Sequence, residues 1–303
     1  MPPPVVAIAG ATATGKTALA VALAERLRGE VVNADSRQVY RGLDIGTAKP
    51  TREVRARARH WLVDILDPDQ PFSLAEFLDL AHGAIADIRR RGRQPIVAGG
   101  TAQYLFALVE GWSPPHVPPD PALRAQLEAL AERDGVTALA AELQRLDPVR
   151  AASIDVRNPR RLIRAIEVAR AGASASVPPS TPVNARVVVL DMPREALHKR
   201  IDARVDAMFA EGLVDEVRRL NAEGYACGLP ALASIGYREC CELLAGRCSL
   251  ADAVARTKTE THRLARMQAT WLRRRAKDAV WLDARSPTLV DDALSAISAD
   301  TRQ

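Results

Sequence analysis

Cysteine and aromatic residues are scarce in this sequence of 303 residues, which has four of the former and only 4% of the latter. The cysteines form no CxxC pair and no histidine lies at a zinc-ligand spacing from them, so neither a zinc site nor a disulfide framework is indicated. We therefore expect reduced, structural thiols at Cys227, Cys240, Cys241 and Cys248.

Long apolar runs are also missing. No stretch approaches the roughly 20 apolar residues that a membrane-spanning helix requires. The opening residues, MPPPVVAIAG, have neither the basic segment nor the long apolar stretch of a signal peptide. We expect a cytoplasmic protein that does not associate with membranes, and no obligate protein partner is evident. The apolar fraction of 48% is typical of a folded protein with a sizeable core.

A phosphate-binding loop is the first chemical motif in the chain. GATATGKT at residues 10–17 fits GxxxxGK[ST] and lies between a short apolar run and a helical pattern, as its mechanism requires. Backbone N–H groups of such a loop surround a phosphate, Lys16 neutralises its oxygens and Thr17 offers a hydroxyl to Mg²⁺. We expect a diphosphate site formed by Gly10, Ala11, Thr12, Ala13, Thr14, Gly15, Lys16 and Thr17.

The apolar pattern predicts an α/β fold with an insertion. Four short runs, at residues 5–9, 30–34, 95–98 and 186–190, have the length and polar flanks of buried strands, and helical patterns separate them. Pro-rich stretches at 113–121 and 172–182 bracket further helical patterns. We expect a P-loop NTPase-like parallel sheet flanked by helices, built from residues 1–112 and 186–303, with a smaller all-helical insertion domain at 113–185.

The loop indicates a bound di- or triphosphate and leaves the reaction open. ATPases and kinases of this class usually hold Mg²⁺ with an Asp at the end of a second apolar strand. Here the run at 95–98 ends in Gly99-Gly100-Thr101 instead. Asp35 directly follows the run at 30–34, at the edge of a parallel sheet where active-site groups commonly lie. Its position alone is compatible with catalysis or with a turn or cap role.

Positive charge is concentrated in two places. Residues 255–277 contain eight Lys or Arg and a single acid, Glu260. Asn158 and Pro159 predict the start of a helix, on which Arg160, Arg161 and Arg164 share one face. Basic runs are usually solvated surfaces, but two of them beside a nucleotide-type loop favour RNA as a partner.

Several motifs together resemble the tRNA dimethylallyltransferase family. They are GATATGKT at 10–17, DSRQVY at 35–40, DIGTAKP at 44–50 and GGTAQY at 99–104, in this order and at this separation. The likeness continues through DP at 147–148, NPRRL at 158–162, SIGYR at 234–238 and QATWLR at 268–273, so it covers nearly the whole chain. This sequence departs from the pattern at Ala11, where the family usually has Pro, and at Met267, where a basic residue often stands.

The resemblance implies transfer of a dimethylallyl group from dimethylallyl diphosphate to N6 of the adenosine immediately 3′ of the tRNA anticodon. It implies that Asp35 accepts the N6 proton, that Thr101 lies near the diphosphate and the target base, and that Arg204 contacts the diphosphate. It also implies Mg²⁺ as cofactor and the tRNA anticodon stem-loop as partner. Such a displacement needs a neutralised leaving group and an amine held in line, which these residue types can supply.

The expected tRNA contacts combine the family motifs with the basic groups. Trp271 has an alternative role in the core, because a lone Trp at helical spacing is usually a packing residue. The full set is Ser36, Arg37, Gln38, Arg124, Arg160, Arg161, Arg164, Gly236, Tyr237, Arg238, Arg266, Gln268, Trp271 and Arg273.

Two other functions are compatible with single motifs. The loop and the Arg200–Arg204 spacing also occur in ATP-dependent small-molecule kinases of the P-loop class. The missing strand-terminal Asp and the two basic groups argue against a kinase. An RNA-binding protein with an inactive loop is disfavoured because Lys16, Thr17 and Asp35 are all present.

Overall fold

A parallel sheet forms the centre of the computed structural model, which describes residues 3–172 and 181–298 and contains six strands in that part of the chain. The strand order is β3-β2-β4-β1-β5-β6, and every neighbouring pair is parallel. The strands are β1 (Val5–Gly10), β2 (Gly29–Asn33), β3 (His60–Trp61), β4 (Gln94–Ala98), β5 (Ala185–Asp191) and β6 (Val280–Asp283). The expected α/β fold is confirmed, and the four predicted runs are the central strands, whereas both edge strands were missed.

Helices connect the strands and continue beyond them. None of those in the described residues combines the length and apolar composition of a membrane span. In chain order they are α1 (Lys16–Leu27), α2 (Arg52–Arg57), α3 (Leu74–Arg90), α4 (Ala102–Glu110), α5 (Pro121–Asp134), α6 (Val136–Leu146), α7 (Pro148–Ser153), α8 (Pro159–Arg170), α9 (Arg194–Ala210), α10 (Leu213–Ala222), α11 (Tyr237–Leu244), α12 (Leu250–Arg275) and α13 (Leu289–Ser298).

The chain divides into two compact units. One comprises Met1–Glu110 with Pro182–Gln303 and contains the sheet, and the other is Gly111–Thr181. The second unit overlaps the insertion expected at 113–185, although the chain has already returned to the sheet at β5 by residue 185. The Val183 N–H donates to the Leu108 carbonyl oxygen at 3.4 Å, so the chain leaves and re-enters the sheet-containing unit at neighbouring points. Most of the Pro-rich stretch at 172–182 lies outside the described residues.

The second unit has its own apolar core. The buried leucines of α5 and α6 pack with Leu162 and Ile166 of α8, which are buried as well. Asn158 caps α8 as predicted, since its side chain accepts a hydrogen bond from the Arg161 N–H at 3.2 Å. Pro159 occupies the first helical position, where the missing N–H costs no hydrogen bond.

Two of the four cysteines are joined, and the expectation of reduced thiols was wrong for them. A disulfide connects Cys227 to Cys241, whose Cα atoms are 5.8 Å apart. Cys227 follows α10 and Cys241 lies on α11, so tertiary packing brings together two residues whose spacing in sequence gave no signal. Cys240 and Cys248 are free, and Cys240 is buried.

Candidate active site

The loop between β1 and α1 has an unusual backbone. Gly10, Ala13 and Gly15 have positive φ angles of 154°, 65° and 95°. A Cβ atom at Gly10 would lie 2.8 Å from Thr14 Oγ1 and 2.9 Å from the Leu190 carbonyl oxygen, so a larger residue does not fit there. Gly15 turns the chain directly into α1, whose first N–H groups have no intrahelical acceptor and are available to an anion.

The eight loop residues divide into two groups. Thr14 is buried and its hydroxyl donates to the Ala11 carbonyl oxygen at 2.8 Å, which braces the loop from inside. Gly10 and Ala11 belong to the same supporting layer. The residues that line the adjoining cavity are Thr12, Ala13, Gly15, Lys16 and Thr17. Any bound diphosphate therefore meets the second group directly.

Two partly buried cations face this cavity. Lys16 Nζ donates to the carbonyl oxygens of Gly10 and Ala11 at 3.1 and 2.8 Å. Burial lowers the pKa of Lys16 to about 8, with the Asp35 carboxylate opposing the shift and the Arg204 guanidinium adding to it. Arg204 of α9 donates from Nη2 to Thr12 Oγ1 at 2.7 Å, while its buried Nε has no hydrogen-bond partner among the described residues. Burial lowers the Arg204 pKa as well. Removing charges from water without full compensation favours a bound anion here.

Asp35 and Thr101 lie side by side where β2 and β4 end. Asp35 Oδ1 accepts from the N–H groups of Arg37 and Gln38 at 2.9 and 3.4 Å, and Oδ2 accepts from the Gly100 N–H at 3.2 Å. Thr101 Oγ1 accepts from the Ser36 N–H at 3.0 Å and donates to Ser36 Oγ at 3.2 Å. Because β2 and β4 are neighbours, the two motifs are locked together and the carboxylate has a fixed orientation.

One cavity of about 360 Å³ is lined by the loop, its cations and Asp35, whereas Thr101 lies outside its wall. Its size is at the lower end for a small-molecule site. The phosphate-loop residues, Arg200, Arg204 and Asp35 form its polar walls. Apolar wall comes from Ala20, Val31, Pro50 and Ala98. The arrangement suits a ligand with an anionic end and a small apolar end, held beside a carboxylate.

A buried lysine supports the DSRQVY and DIGTAKP motifs behind the cavity. Lys49 Nζ donates to the Tyr40 carbonyl oxygen at 2.7 Å and to the carboxylates of Asp44 and Asp64 at 2.6 Å each. The Gln38 amide donates to the carbonyl oxygens of residues 47 and 48 at 3.0 and 3.2 Å. Gln38 is 8% exposed and lines the cavity, so its expected tRNA contact stays a prediction.

Comparison with known proteins decides the family. The IPP transferase family model matches residues 38–275, and an isopentenyl transferase model matches residues 3–70. The chain belongs to the IPP transferase family. It is 51% identical to the tRNA dimethylallyltransferase of Roseiflexus sp. over 89% of this chain and 90% of the relative. It is 49% identical to the protein of the same name from Chloroflexus aurantiacus, over 91% and 95%.

Solved structures of the family share the fold. The tRNA isopentenylpyrophosphate transferase of Bacillus halodurans is 39% identical, with a TM-score of 0.72, over 97% of this chain and 94% of that one. A eukaryotic dimethylallyltransferase acting on tRNA is 29% identical, with a TM-score of 0.81, over 98% of this chain and 79% of that one. This family member is therefore an enzyme, a transferase with the P-loop α/β core described above.

Tyr237 of this IPP transferase was expected to contact tRNA, which requires a position at the surface. It is fully buried, and its hydroxyl donates to Glu216 at 2.6 Å. The same carboxylate accepts from the N–H groups of Asp44 and Ile45 at 3.0–3.2 Å, so Tyr237 and Glu216 anchor the DIGTAKP loop. The expectation for Tyr237 is corrected accordingly. The neighbouring Gly236 donates its N–H to Glu239, and the half-exposed Arg238 pairs with the same acid.

The long helix α12 presents its expected contact residues in different ways. Trp271 packs edge-on against Phe106, with ring centroids 5.2 Å apart, so its packing role is confirmed. Arg266 is exposed, and Arg273 is exposed with its guanidinium 3.6 Å from Asp191. Gln268 instead points back towards the cavity, as described below. Arg37 is partly buried and donates to the Pro230 carbonyl oxygen at 2.9 Å.

The four arginines of the second unit that were expected to bind tRNA differ in their surroundings, two being paired with an acid and two being exposed. Arg124 forms two hydrogen bonds to Glu167, at 2.7 and 2.9 Å, and Arg164 bonds the same acid at 3.2 Å. Burial alone would raise the Glu167 pKa, but these bonds hold it below its usual value. Arg124 and Arg164 therefore neutralise a buried acid, but their side chains are 41% and 36% exposed, and their expected tRNA contacts stay predictions. Arg160 and Arg161 are exposed.

Some residues of the site gave no sequence signal. Val31 and His60 line the cavity from β2 and β3, and burial lowers the pKa of His60. The acids Glu167 and Glu216 determine which nearby cations and hydroxyls are free, yet neither belongs to a recognisable motif. Only the tertiary structure brings these residues to their partners.

Proposed function

We propose that this enzyme transfers a dimethylallyl group from dimethylallyl diphosphate to N6 of the adenosine immediately 3′ of the anticodon in tRNA, releasing diphosphate. One observation carries the proposal: a single cavity joins a phosphate loop and two partly buried cations to the Asp35 carboxylate, in a chain about half identical to tRNA dimethylallyltransferases. We also propose a cytoplasmic location, since the proposed substrate is a tRNA.

The donor half of the reaction uses the loop and its cations. As the bond between the allylic carbon and the diphosphate oxygen breaks, negative charge grows on the leaving group. Lys16, Arg204 and the N–H groups at the start of α1 stabilise that charge without rearranging, because the fold already holds them in place. The apolar walls at Val31, Pro50 and Ala98 exclude water from the allylic group.

The acceptor half uses the carboxylate beside the loop. The adenine N6 attacks the allylic carbon, a new carbon–nitrogen bond forms, and Asp35 takes the proton that N6 loses. The three backbone N–H groups on Asp35 fix its direction for this transfer. Thr101, held by Ser36, offers a hydroxyl at the same edge. A base in the single-stranded anticodon loop can be splayed out to reach this point.

Mg²⁺ fits this site as an ion held mainly by the substrate. The Thr17 hydroxyl lines the cavity, while the described residues contain no cluster of three or more acidic, His or Cys ligands. Mg²⁺ commonly keeps several waters and binds phosphates with few protein ligands. We assign Thr17 as its protein ligand, where the ion would neutralise the diphosphate.

The exposed arginines of α8 are proposed to bind tRNA phosphates. Changing Arg160 and Arg161 together to Ala should weaken tRNA binding and lower the log–log salt slope by about 1.4 to 1.8 units, since each phosphate contact contributes roughly 0.7 to 0.9. Dimethylallyl diphosphate affinity should not change. Fluorescence anisotropy of labelled tRNA at several salt concentrations measures both quantities.

A matched control removes two other arginines of the same unit. Arg133 and Arg145 are exposed but pair with Asp134 and Glu142. Their double Ala variant should retain the wild-type salt slope. An unchanged slope in the Arg160/Arg161 variant would exclude α8 as a phosphate-binding surface and leave RNA binding to other basic residues.

The function itself is tested by mass spectrometry of tRNA. Unmodified tRNA is incubated with the enzyme, Mg²⁺ and dimethylallyl diphosphate in the absence of ATP. The expected product is an anticodon-loop fragment heavier by one dimethylallyl group, located on the adenosine 3′ of the anticodon. An unchanged tRNA together with ATP-dependent phosphorylation of a metabolite would instead identify a small-molecule kinase.

A further inference from the structure

The side chain of Gln268 joins two separate parts of the active site. Gln268 lies on α12, and its Oε1 accepts a hydrogen bond from the Thr12 N–H at 2.8 Å. Its Nε2 donates to the Gly100 carbonyl oxygen at 2.7 Å. Thr12 belongs to the phosphate loop and Gly100 to the turn after β4, so one amide group spans the gap between them.

Each end of this bridge continues to a reacting group. Gly100 also donates its N–H to Asp35 Oδ2 at 3.2 Å, and the next residue, Thr101, is tied to Ser36. At the other end, Thr12 is held a second time, because its Oγ1 accepts from Arg204 at 2.7 Å. A continuous series of hydrogen bonds thus runs from the arginine of the donor site through Gln268 to the Asp35 carboxylate.

The amide is chemically suited to this position. Thr12 presents a donor and Gly100 presents an acceptor, so the bridging group must accept at one end and donate at the other. A glutamine amide does both, whereas a carboxylate only accepts and an apolar side chain does neither. Both polar atoms of Gln268 bond within the protein, and because the amide keeps a second N–H and a second acceptor site, the tRNA contact expected from the sequence stays a prediction.

We propose that Gln268 is a positioning residue that sets the distance between the diphosphate loop and the Asp35 carboxylate. The proposal rests on the transfer reaction proposed above, in which donor carbon and acceptor nitrogen must be aligned by two different loops. Alignment of this kind is demanding, since a displacement of about 1 Å can cost roughly 100-fold in rate. Gln268 acts through its neighbours and needs no contact with either substrate.

The test separates alignment from binding. Gln268→Met keeps the length of the side chain and removes both bonds, and Gln268→Glu keeps the acceptor but loses the donor to Gly100. Each variant should lower the single-turnover rate of dimethylallyl transfer roughly 30-fold or more. In Gln268→Met the KM values for donor and tRNA should stay within about threefold of wild type, because the loop cations and the exposed arginines are intact. In Gln268→Glu the new carboxylate beside the phosphate loop should also raise the donor KM. Assays are run below the melting temperature of each variant.

A charge control is available on the same helix. Thr259 is exposed and its hydroxyl donates to the Ala255 carbonyl oxygen, so Thr259→Glu adds the same charge away from the cavity and should keep the wild-type rate. A wild-type single-turnover rate in either Gln268 variant would overturn the positioning role. So would a raised tRNA KM with an unchanged single-turnover rate. Absence of transfer by the wild-type enzyme would instead refute the underlying function.

Discussion

The Asp35→Asn variant is expected to transfer the dimethylallyl group roughly 100-fold more slowly than wild type, or slower still. Asn has nearly the shape of Asp and can still accept from the Arg37 and Gln38 N–H groups, but it cannot take the proton from N6. Removing a general base typically costs about 100- to 10,000-fold in rate. Single-turnover measurement with saturating tRNA and donor gives the rate of the chemical step.

Binding measurements complete this test. Donor and tRNA affinities should change little, because the loop cations and the exposed arginines are untouched. Asp67→Asn serves as a control, since Asp67 is an exposed carboxylate paired with Arg41 and is absent from the cavity wall. Near-normal turnover in Asp35→Asn would reduce Asp35 to a residue that organises the turn at 35–38.

Loss of the Lys16 ammonium is expected to weaken dimethylallyl diphosphate binding roughly 100-fold in Lys16→Ala. A hydrogen bond to a charged group is worth about 1.5–3 kcal/mol, and the buried setting of Lys16 favours the upper end of this range. Isothermal titration calorimetry measures the affinity. Lys199→Ala is the matched control, since Lys199 is exposed on α9 and does not line the cavity. Equal affinity in Lys16→Ala and wild type would place the donor elsewhere.

The pH dependence of dimethylallyl diphosphate affinity tests the role of Lys16 independently. Burial lowers the Lys16 pKa to about 8, so the free enzyme loses this charge as the pH rises above that value. A bound diphosphate favours the protonated form, so binding above pH 8 must take up a proton and the affinity should fall. Below pH 8 the lysine is already charged, and its contribution is fully present. Titrations in buffers of different ionisation enthalpy detect the proton uptake, which Lys16→Ala should lack.

The central sheet was predictable because its strands are buried on both faces. Residues such as Val5, Ile8 and Val97 form uninterrupted apolar runs, which is the pattern of a covered parallel strand. The edge strands lack this pattern. β3 consists of His60 and Trp61 alone, and β6 is a four-residue segment that follows a basic helix. Their strand conformation depends on pairing with β2 and β5, which local sequence does not encode.

In the active site, too, some features can be predicted from the local sequence and others depend on the tertiary structure. The phosphate loop and Asp35 are recognisable because the chemistry requires a particular residue type at a particular position along a strand–loop–helix unit. The partners of polar side chains are different, since they are distant in sequence. Arg164 and Arg161 look alike on the α8 helix, yet only Arg164 has Glu167 beside it. Gln268 lies in an RNA-associated motif, yet its amide is oriented towards Thr12 and Gly100.

The hydrogen bond between Val183 and Leu108 has a consequence for how such enzymes can diversify. Because the chain departs from and returns to the sheet-containing unit at neighbouring points, residues 111–181 form one contiguous excursion. A gene segment encoding this excursion can be lengthened, shortened or exchanged without changing which strands are neighbours. On the proposed role of α8 in tRNA binding, RNA preference can change with this segment, while the phosphate loop and Asp35 stay with the sheet.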